Sequence, residues 1–160
     1  KKLRLQDDPV TSHYLAAPKL LSGGGGLVST AADYLRFCRM LLGGGELTGV
    51  RLLGPRTVEF MTRNHLSDGK GLTDLSVGAF SETPYEGTGF GLGFSVRLDP
   101  VQSGVIGSVG EYAWGGAAST IFFIDPSEDL IAIFLTQLMP SNTFNFRGQL
   151  QTIIYSSIID

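Results

Sequence analysis

Hydrophobic periodicity changes from helical to alternating at about Gly89, and this change restricts the fold class. Before it, apolar residues recur at helical spacing from Tyr34 to Leu42, and proline at the first position favours a second short helix over residues 55–64. After it, residues 89–98 alternate between apolar and small or polar side chains, as strands do. Helices followed by a meandering antiparallel sheet predict an α+β fold rather than a doubly wound one.

Signals at both ends support the first helix. Ser29 or Thr30, followed by Asp33, is typical of a capped N-terminus, and the glycines at 43–45 supply the left-handed geometry that helix C-termini favour. A closing amphipathic helix is predicted over residues 146–159. Helices are therefore expected to flank the sheet.

Two further strands are predicted over residues 112–124 and 130–137. The short polar turn at residues 125–128 would join them as an antiparallel hairpin. Residues 65–88 show no clear periodicity and are predicted to be a long loop.

The chain has 160 residues and a net charge of −3, which fits one domain with a sizeable core. Residues 1–19 are polar and are predicted to be an extended lead-in to a domain over residues 20–160. Their charged start is not followed by an apolar core, so no signal peptide is expected. No apolar stretch reaches the ~20 residues of a membrane span, and no basic cluster favours nucleic acid.

The residue types that usually bind a metal or a phosphate group do not form a binding motif in this sequence. Cys38 is the single cysteine, which excludes an intrachain disulfide, and its apolar neighbours predict a buried thiol. His13 and His65 have no carboxylate or thiol at ligand spacing, so no metal is predicted. The glycine run at 23–26 lacks the Lys-Ser/Thr of a phosphate loop and is predicted to be a structural turn. We predict no cofactor.

Three segments, in this order and spacing, resemble the serine β-lactamase and penicillin-binding-protein superfamily, in particular its β-lactamase-like carboxylesterase branch. They are residues 23–37 (GGGGLVSTAADYLRF), 89–94 (GFGLGF) and 114–119 (WGGAAS). The resemblance covers nearly the whole chain after residue 20. It implies the C-terminal portion of a β-lactamase/transpeptidase-like fold, from a bacterial-type enzyme of the cytoplasm or periplasm.

The resemblance also implies a catalytic role for a strand. In the family a serine of Ser-x-x-Lys attacks a carbonyl, a lysine and the tyrosine of Tyr-x-Asn move protons, and a Lys-Thr-Gly strand flanks the site. Here Trp114-Gly115-Gly116 takes the place of that strand, and the backbone N–H of Ala117, next to Gly116, would be an oxyanion donor. The two glycines would let a substrate approach the backbone closely.

Four residues are candidates for substrate binding: Trp114, Gly115, Tyr112 and Arg147. Trp114 is expected to form a wall of the acyl pocket, with a core aromatic as the alternative, and Tyr112 could share that wall. Trp114 stands where the family has lysine or histidine, which favours neutral esters over substrates with a carboxylate. Arg147 would bind a substrate carboxylate, as in the lactamase branch, or be a solvated or salt-bridged arginine.

The nucleophile motif is missing from its expected place. Ser67-x-x-Lys70 has the right letters, but Gly69 lies inside it and no helical periodicity surrounds it, so Ser67 is predicted to be a loop residue. No tyrosine is followed by asparagine at the required offset. The serine, lysine and tyrosine are therefore expected on an N-terminal portion of the same enzyme, which acts on a small-molecule ester or β-lactam-type substrate. These 160 residues alone are expected to be inactive.

Two other functions remain open at the level of sequence. The chain could be a catalytically inert binding or interaction domain that retains the fold. It could also self-associate, because a sheet without neighbouring strands exposes edges that pair with other chains. A glycosidase-type pair of Glu111 and Asp129 would require facing positions, and Asp129 is better explained by the hairpin turn.

Overall fold

The structure, a computed structural model, describes residues 2–75 and 85–159. It contains five α-helices and seven strands within the described residues. Short 3-10 helices are also present at His13–Leu15, Ser67–Gly69 and Ser141–Thr143. The α-helices are α1 (Ala31–Leu42), α2 (Pro55–Met61), α3 (Leu72–Leu75), α4 (Pro100–Ser103) and α5 (Phe146–Tyr155). The strands are β1 (Glu46–Leu47), β2 (Val50–Arg51), β3 (Thr88–Phe90), β4 (Ser95–Arg97), β5 (Tyr112–Gly115), β6 (Ile121–Asp125) and β7 (Leu130–Phe134).

Strands β3 to β7 form one five-stranded antiparallel sheet in chain order, and β1 and β2 form a separate hairpin. Helices α1 and α2 pack on one face of the sheet, where Cys38, Leu41 and Val58 meet Phe122 and Ile124. Helix α5 covers the other face through a cluster of Phe123, Ala132 and Tyr155. The α+β fold with an antiparallel sheet flanked by helices is therefore confirmed.

The ends of α1 agree with the sequence signals. The Thr30 side chain accepts a hydrogen bond from the Asp33 backbone N–H at 3.1 Å, and Gly43 caps the C-terminus. Gly44 and Gly45 follow with φ angles of 65° and 93°. Helix α2 begins at Pro55 as predicted but ends at Met61, and α5 ends at Tyr155 rather than at residue 159.

The prediction of one strand over residues 89–98 is wrong, because β3 and β4 form a hairpin there. The Gly91 N–H donates to the Phe94 carbonyl at 2.8 Å and closes the turn. A side chain on Gly91 would place its Cβ 2.2 Å from the Met61 carbonyl oxygen, so only glycine fits against α2. Phe94 is buried even though it lies in this turn, which is why the apolar alternation continues unbroken through it.

The prediction of one strand over residues 112–124 is also wrong, since β5 and β6 are separated by a turn that begins at Gly116. The β6–β7 hairpin is present at the predicted place. In the predicted loop at residues 65–88, the structure forms a short helix at Ser67–Gly69 and α3, while residues 76–84 lie outside the described residues. Among the described helices, none is both long and apolar enough to cross a membrane.

Cys38 is 0% exposed, and burial raises the pKa of its thiol to about 11. We expect a disulfide exchange reagent at pH 8 to react with Cys38 only after the protein is unfolded. Because the fold favours the protonated thiol, the free energy of unfolding should fall as the pH rises above about 8.5, the usual value for cysteine, towards 11. Absorbance kinetics with and without denaturant test the first point, and rapid labelling of the native chain would contradict it.

Candidate functional site

Strand β5 extends past the end of its neighbour β4. On one side it pairs with β6 as far as Gly115, which faces Ile121. On the other side its register with β4 stops at Ala113, which faces Ser95. Trp114 and Gly115 therefore have a strand neighbour on the β6 side only, within the described residues. Along an antiparallel strand, successive residues direct their backbone N–H and C=O groups to opposite sides. Because the Gly116 N–H bonds to Thr120 on the β6 side, the backbone groups of Gly115 point to the side that has no strand neighbour.

The turn after β5 is held at both of its ends. The Ser119 N–H donates to the Gly116 carbonyl at 3.1 Å, and the Gly116 N–H donates to the Thr120 carbonyl at 3.0 Å. The Ser119 hydroxyl donates to the Leu138 carbonyl at 2.6 Å, and the Leu138 N–H returns to the Ala118 carbonyl at 3.1 Å. Ser119 has a φ of 65°, an uncommon conformation for a residue with a side chain. These contacts fix the turn firmly.

Ala117 is the exposed residue of this turn. Over residues 2–75 and 85–159, no group accepts a hydrogen bond from its backbone N–H. A backbone N–H that is held in a fixed turn and has no internal acceptor is suited to bind an oxygen atom of a ligand.

A cavity of about 420 Å³ lies on the face of the sheet that carries α1, and Gly116, the residue before Ala117, is part of its lining. Trp114, which is 41% exposed to solvent, lines it, and its indole packs edge-on against Phe90 with ring centroids 5.0 Å apart. The described lining residues carry no charge. The larger ones are Leu27, Tyr34, Trp114, Ile121, Phe122, Ile133 and Leu135.

Arg147 lies on the opposite face of the sheet, half-buried at the start of α5. It lines a second cavity, of about 330 Å³, together with Arg97 and Glu111, and Trp114 and Gly115 border this cavity as well as the first. Its Nη2 atom lies 3.3 Å from the Gly116 carbonyl oxygen. A Cβ on Gly115 would lie 2.5 Å from that same nitrogen. The guanidinium therefore contacts the strand from behind, away from the 420 Å³ cavity.

Tyr112 was expected to share the acyl-pocket wall, and the structure corrects this expectation. Its side chain is 2% exposed and packs against Phe94 with ring centroids 5.4 Å apart. Burial, followed by the nearby Cys38, raises the pKa of the Tyr112 hydroxyl. Tyr112 and Trp114 are two residues apart and so share a face of β5, but only Tyr112 lies under the packed core.

Glu111 belongs to a buried polar network and does not form a pair with Asp129. Its Oε1 atom accepts hydrogen bonds from Arg97 at 2.9 Å and from Gln151 at 2.7 Å. The Tyr155 hydroxyl lies 2.8 Å from Glu111 Oε2 and 2.6 Å from Asp125 Oδ2. Burial and then these two carboxyl groups raise the pKa of Tyr155. The network joins α5 to the sheet, which is a structural role.

The remaining sequence candidates are separate from this site. Asp129 has a φ of 49° in the β6–β7 turn, as expected for a turn residue. Ser67 lies in a short 3-10 turn that contains Asp68 with a φ of 60°, so it does not open a regular helix. Among the described residues, no group of three His, Cys, Asp or Glu side chains is close enough to hold a metal ion.

Sequence reasoning missed several residues of the site. Thr120 lies so close to Gly116 that a Cβ there would be 2.6 Å from its hydroxyl oxygen. Phe90 supports Trp114 from a different hairpin, and Ser119 anchors the turn from a left-handed conformation. Nothing in the local sequence marks the last two contacts, since both depend on the pairing of separate segments.

Comparisons with known proteins agree with this architecture. The sequence model of the Beta-lactamase family matches residues 2–153. Protein Rv1367c of Mycobacterium tuberculosis is 41% identical over 141 residues, which cover 86% of this chain and 34% of that protein. The chain thus spans about a third of the length of this curated relative.

Several solved structures share the fold, among them EstCE1 and simvastatin synthase (LovD). EstCE1, described as a hydrolase with promiscuous acyltransferase activity, has a TM-score of 0.61 and 29% identity over 82% of this chain and 30% of its own. Unliganded simvastatin synthase (LovD) from Aspergillus terreus has a TM-score of 0.71 and 25% identity over 94% of this chain and 38% of its own. Both the sequence and the fold lead to one conclusion: the chain belongs to the Beta-lactamase family.

Proposed function

We propose that this chain forms one wall of the acyl-binding cleft of a serine hydrolase that acts on neutral esters. The nucleophilic serine, with its lysine and tyrosine, would be on an N-terminal portion of the same enzyme. The observation that carries the proposal is the Ala117 backbone N–H, which has no acceptor among the described residues and belongs to a fixed turn whose first residue, Gly116, lines an uncharged cavity. Such an amide stabilises the negative charge that develops on a carbonyl oxygen during acyl transfer.

The uncharged cavity supports a neutral acyl group. Trp114 stands where the wider superfamily has a cation, and its indole would contact the acyl chain. Arg147, the expected ligand for a substrate carboxylate, lines the cavity on the other face of the sheet. The hydrolase and acyltransferase activity in the description of EstCE1 also supports acyl-transfer chemistry for this family member.

Active-site labelling tests the proposal. In the complete enzyme, which includes the N-terminal portion, a fluorophosphonate probe should add to one serine outside residues 1–160, as read by intact mass and peptide mapping. The 160-residue chain alone should remain unlabelled and should not hydrolyse p-nitrophenyl butyrate. The complete enzyme should have a higher kcat/KM for that neutral ester than for nitrocefin, which carries a carboxylate.

Two outcomes would overturn the proposal. Turnover by the isolated chain that is abolished by Ser67→Ala would place the nucleophile in this segment. A complete protein that binds acyl ligands but is never labelled would be an inert binding domain.

A further inference from the structure

We propose that Arg147 is a positioning residue that orients and polarises the oxyanion-binding amide from behind the strand, and that Gly115 is glycine in order to admit it. This inference rests on the function proposed above. It begins with the covalent structure, because the Gly116 carbonyl and the Ala117 N–H belong to one planar peptide unit. Any contact that fixes the carbonyl also fixes the direction of the N–H on the opposite edge of that plane.

Among the described residues, two donors reach the Gly116 carbonyl oxygen. Arg147 Nη2 lies 3.3 Å away and the Ser119 N–H lies 3.1 Å away. Hydrogen bonds along a chain polarise one another, so donors at the carbonyl make the Ala117 N–H a stronger donor in turn. The guanidinium also places a positive charge behind the amide, on the side opposite the developing oxyanion, where it adds to the stabilisation of that anion.

The missing side chain of Gly115 makes this contact possible. A Cβ at this position would lie 2.5 Å from Arg147 Nη2, 2.7 Å from Arg147 Cζ and 2.8 Å from the Thr120 carbonyl oxygen. Even an alanine would have to displace the guanidinium or the strand. The glycine that the sequence assigns to substrate approach therefore has a second role on the opposite face.

The start of α5 holds Arg147 in place. The Asn145 side chain caps the helix by accepting from the Gly148 N–H at 3.1 Å. Phe146 packs against Phe134 of β7 with ring centroids 5.6 Å apart. A capped helix that is packed on the sheet therefore positions Arg147 against β5, on the face opposite to α1.

The test compares Arg147→Met, Gly115→Ala and the double variant in the complete enzyme. Arg147→Met should lower kcat about tenfold, less than removal of the donor itself, with KM almost unchanged. The affinity for a boronic acid transition-state analogue should fall by a similar factor. Gly115→Ala should give a similar loss, and the double variant should lose little more, because both changes break one contact. Arg56→Met serves as a control on a 93% exposed side chain of α2 and should leave kcat unchanged.

A second readout separates this role from a purely structural one. The ¹³C chemical shift of the Gly116 carbonyl should move upfield in Arg147→Met, as it does when a carbonyl loses a hydrogen bond, and Arg147→Lys should restore part of both the shift and kcat. If Arg147→Met keeps the wild-type kcat per folded molecule while the enzyme is labelled normally, this inference is overturned and the proposed function stands. If the complete wild-type protein is never labelled by the fluorophosphonate, the proposed function fails instead.

Discussion

Replacing Ala117 with proline should lower kcat of the complete enzyme about 10²–10³-fold while KM and Tm change little. Proline has no N–H, so the substitution removes the oxyanion donor and puts the ring Cδ in its place. The turn should accept it, because Ala117 is the first central residue of a turn closed by the bond from the Ser119 N–H to the Gly116 carbonyl. Proline is favoured at that position of such turns. Steady-state kinetics with p-nitrophenyl butyrate and thermal unfolding give the two readouts.

Ala117→Ser is the matched control, because it changes the side chain at the same position and keeps the N–H. It should retain most of the wild-type kcat. A transition-state analogue should lose affinity for the proline variant but not for the serine variant. Wild-type turnover by a folded Ala117→Pro enzyme would show that this amide is not the donor.

The sequence predicts α1 well because its signals are local. Thr30 and Asp33 are within one turn of each other, and the glycines after Leu42 end the helix by their own conformational freedom. The β6–β7 hairpin is predicted for the same reason, since its polar turn lies between two apolar runs. Element boundaries of this kind depend on residues that are adjacent in the chain.

The divided strands could not be predicted because apolar alternation continues through the first turn, and the second turn contains no proline or charged residue that would mark it. Phe94 is buried from a turn, so its apolar character matches the pattern of a strand. Ser119 adopts a left-handed conformation that a serine gives no reason to expect, and a contact with the distant Leu138 holds it. Tertiary contacts decide both cases.

The candidate site was also predicted only in part, because tertiary packing decides which of its residues are accessible. The spacing of Tyr112 and Trp114 correctly puts them on one face of a strand, but it does not show where α1 and Phe94 stop covering that face. Arg147 is recognisable as a functional candidate by resemblance, yet only the packing of α5 shows that it approaches β5 from behind. The identity of a residue indicates which chemistry its side chain can perform. Packing between segments that are distant in the chain decides whether that side chain lies in the core, in the cleft or on the opposite face of the sheet.

Glu111→Ala should lower the free energy of unfolding by about 3–5 kcal/mol, the usual cost of leaving one charge of a buried pair without its partner. The Arg97 side chain is 9% exposed and the Glu111 side chain is 3% exposed, so solvent screens the remaining guanidinium charge poorly. Arg97 Nε already has no hydrogen-bond partner among the described residues. Gln151 and Tyr155 would each lose an acceptor as well. Urea unfolding followed by far-UV circular dichroism measures the change.

Glu59→Ala is the matched control, because Glu59 pairs with Arg56 and Arg63 on an exposed face of α2. Solvent screens that pair, so its loss should change the free energy of unfolding very little. Arg97→Ala combined with Glu111→Ala should be less destabilising than the sum of the single changes, since the double variant leaves no unpaired arginine in the core. Equal effects of Glu111→Ala and Glu59→Ala would mean that the network contributes no more than a surface ion pair and that apolar contacts, such as those of Tyr155 with Phe123 and of Phe146 with Phe134, hold α5 to the sheet.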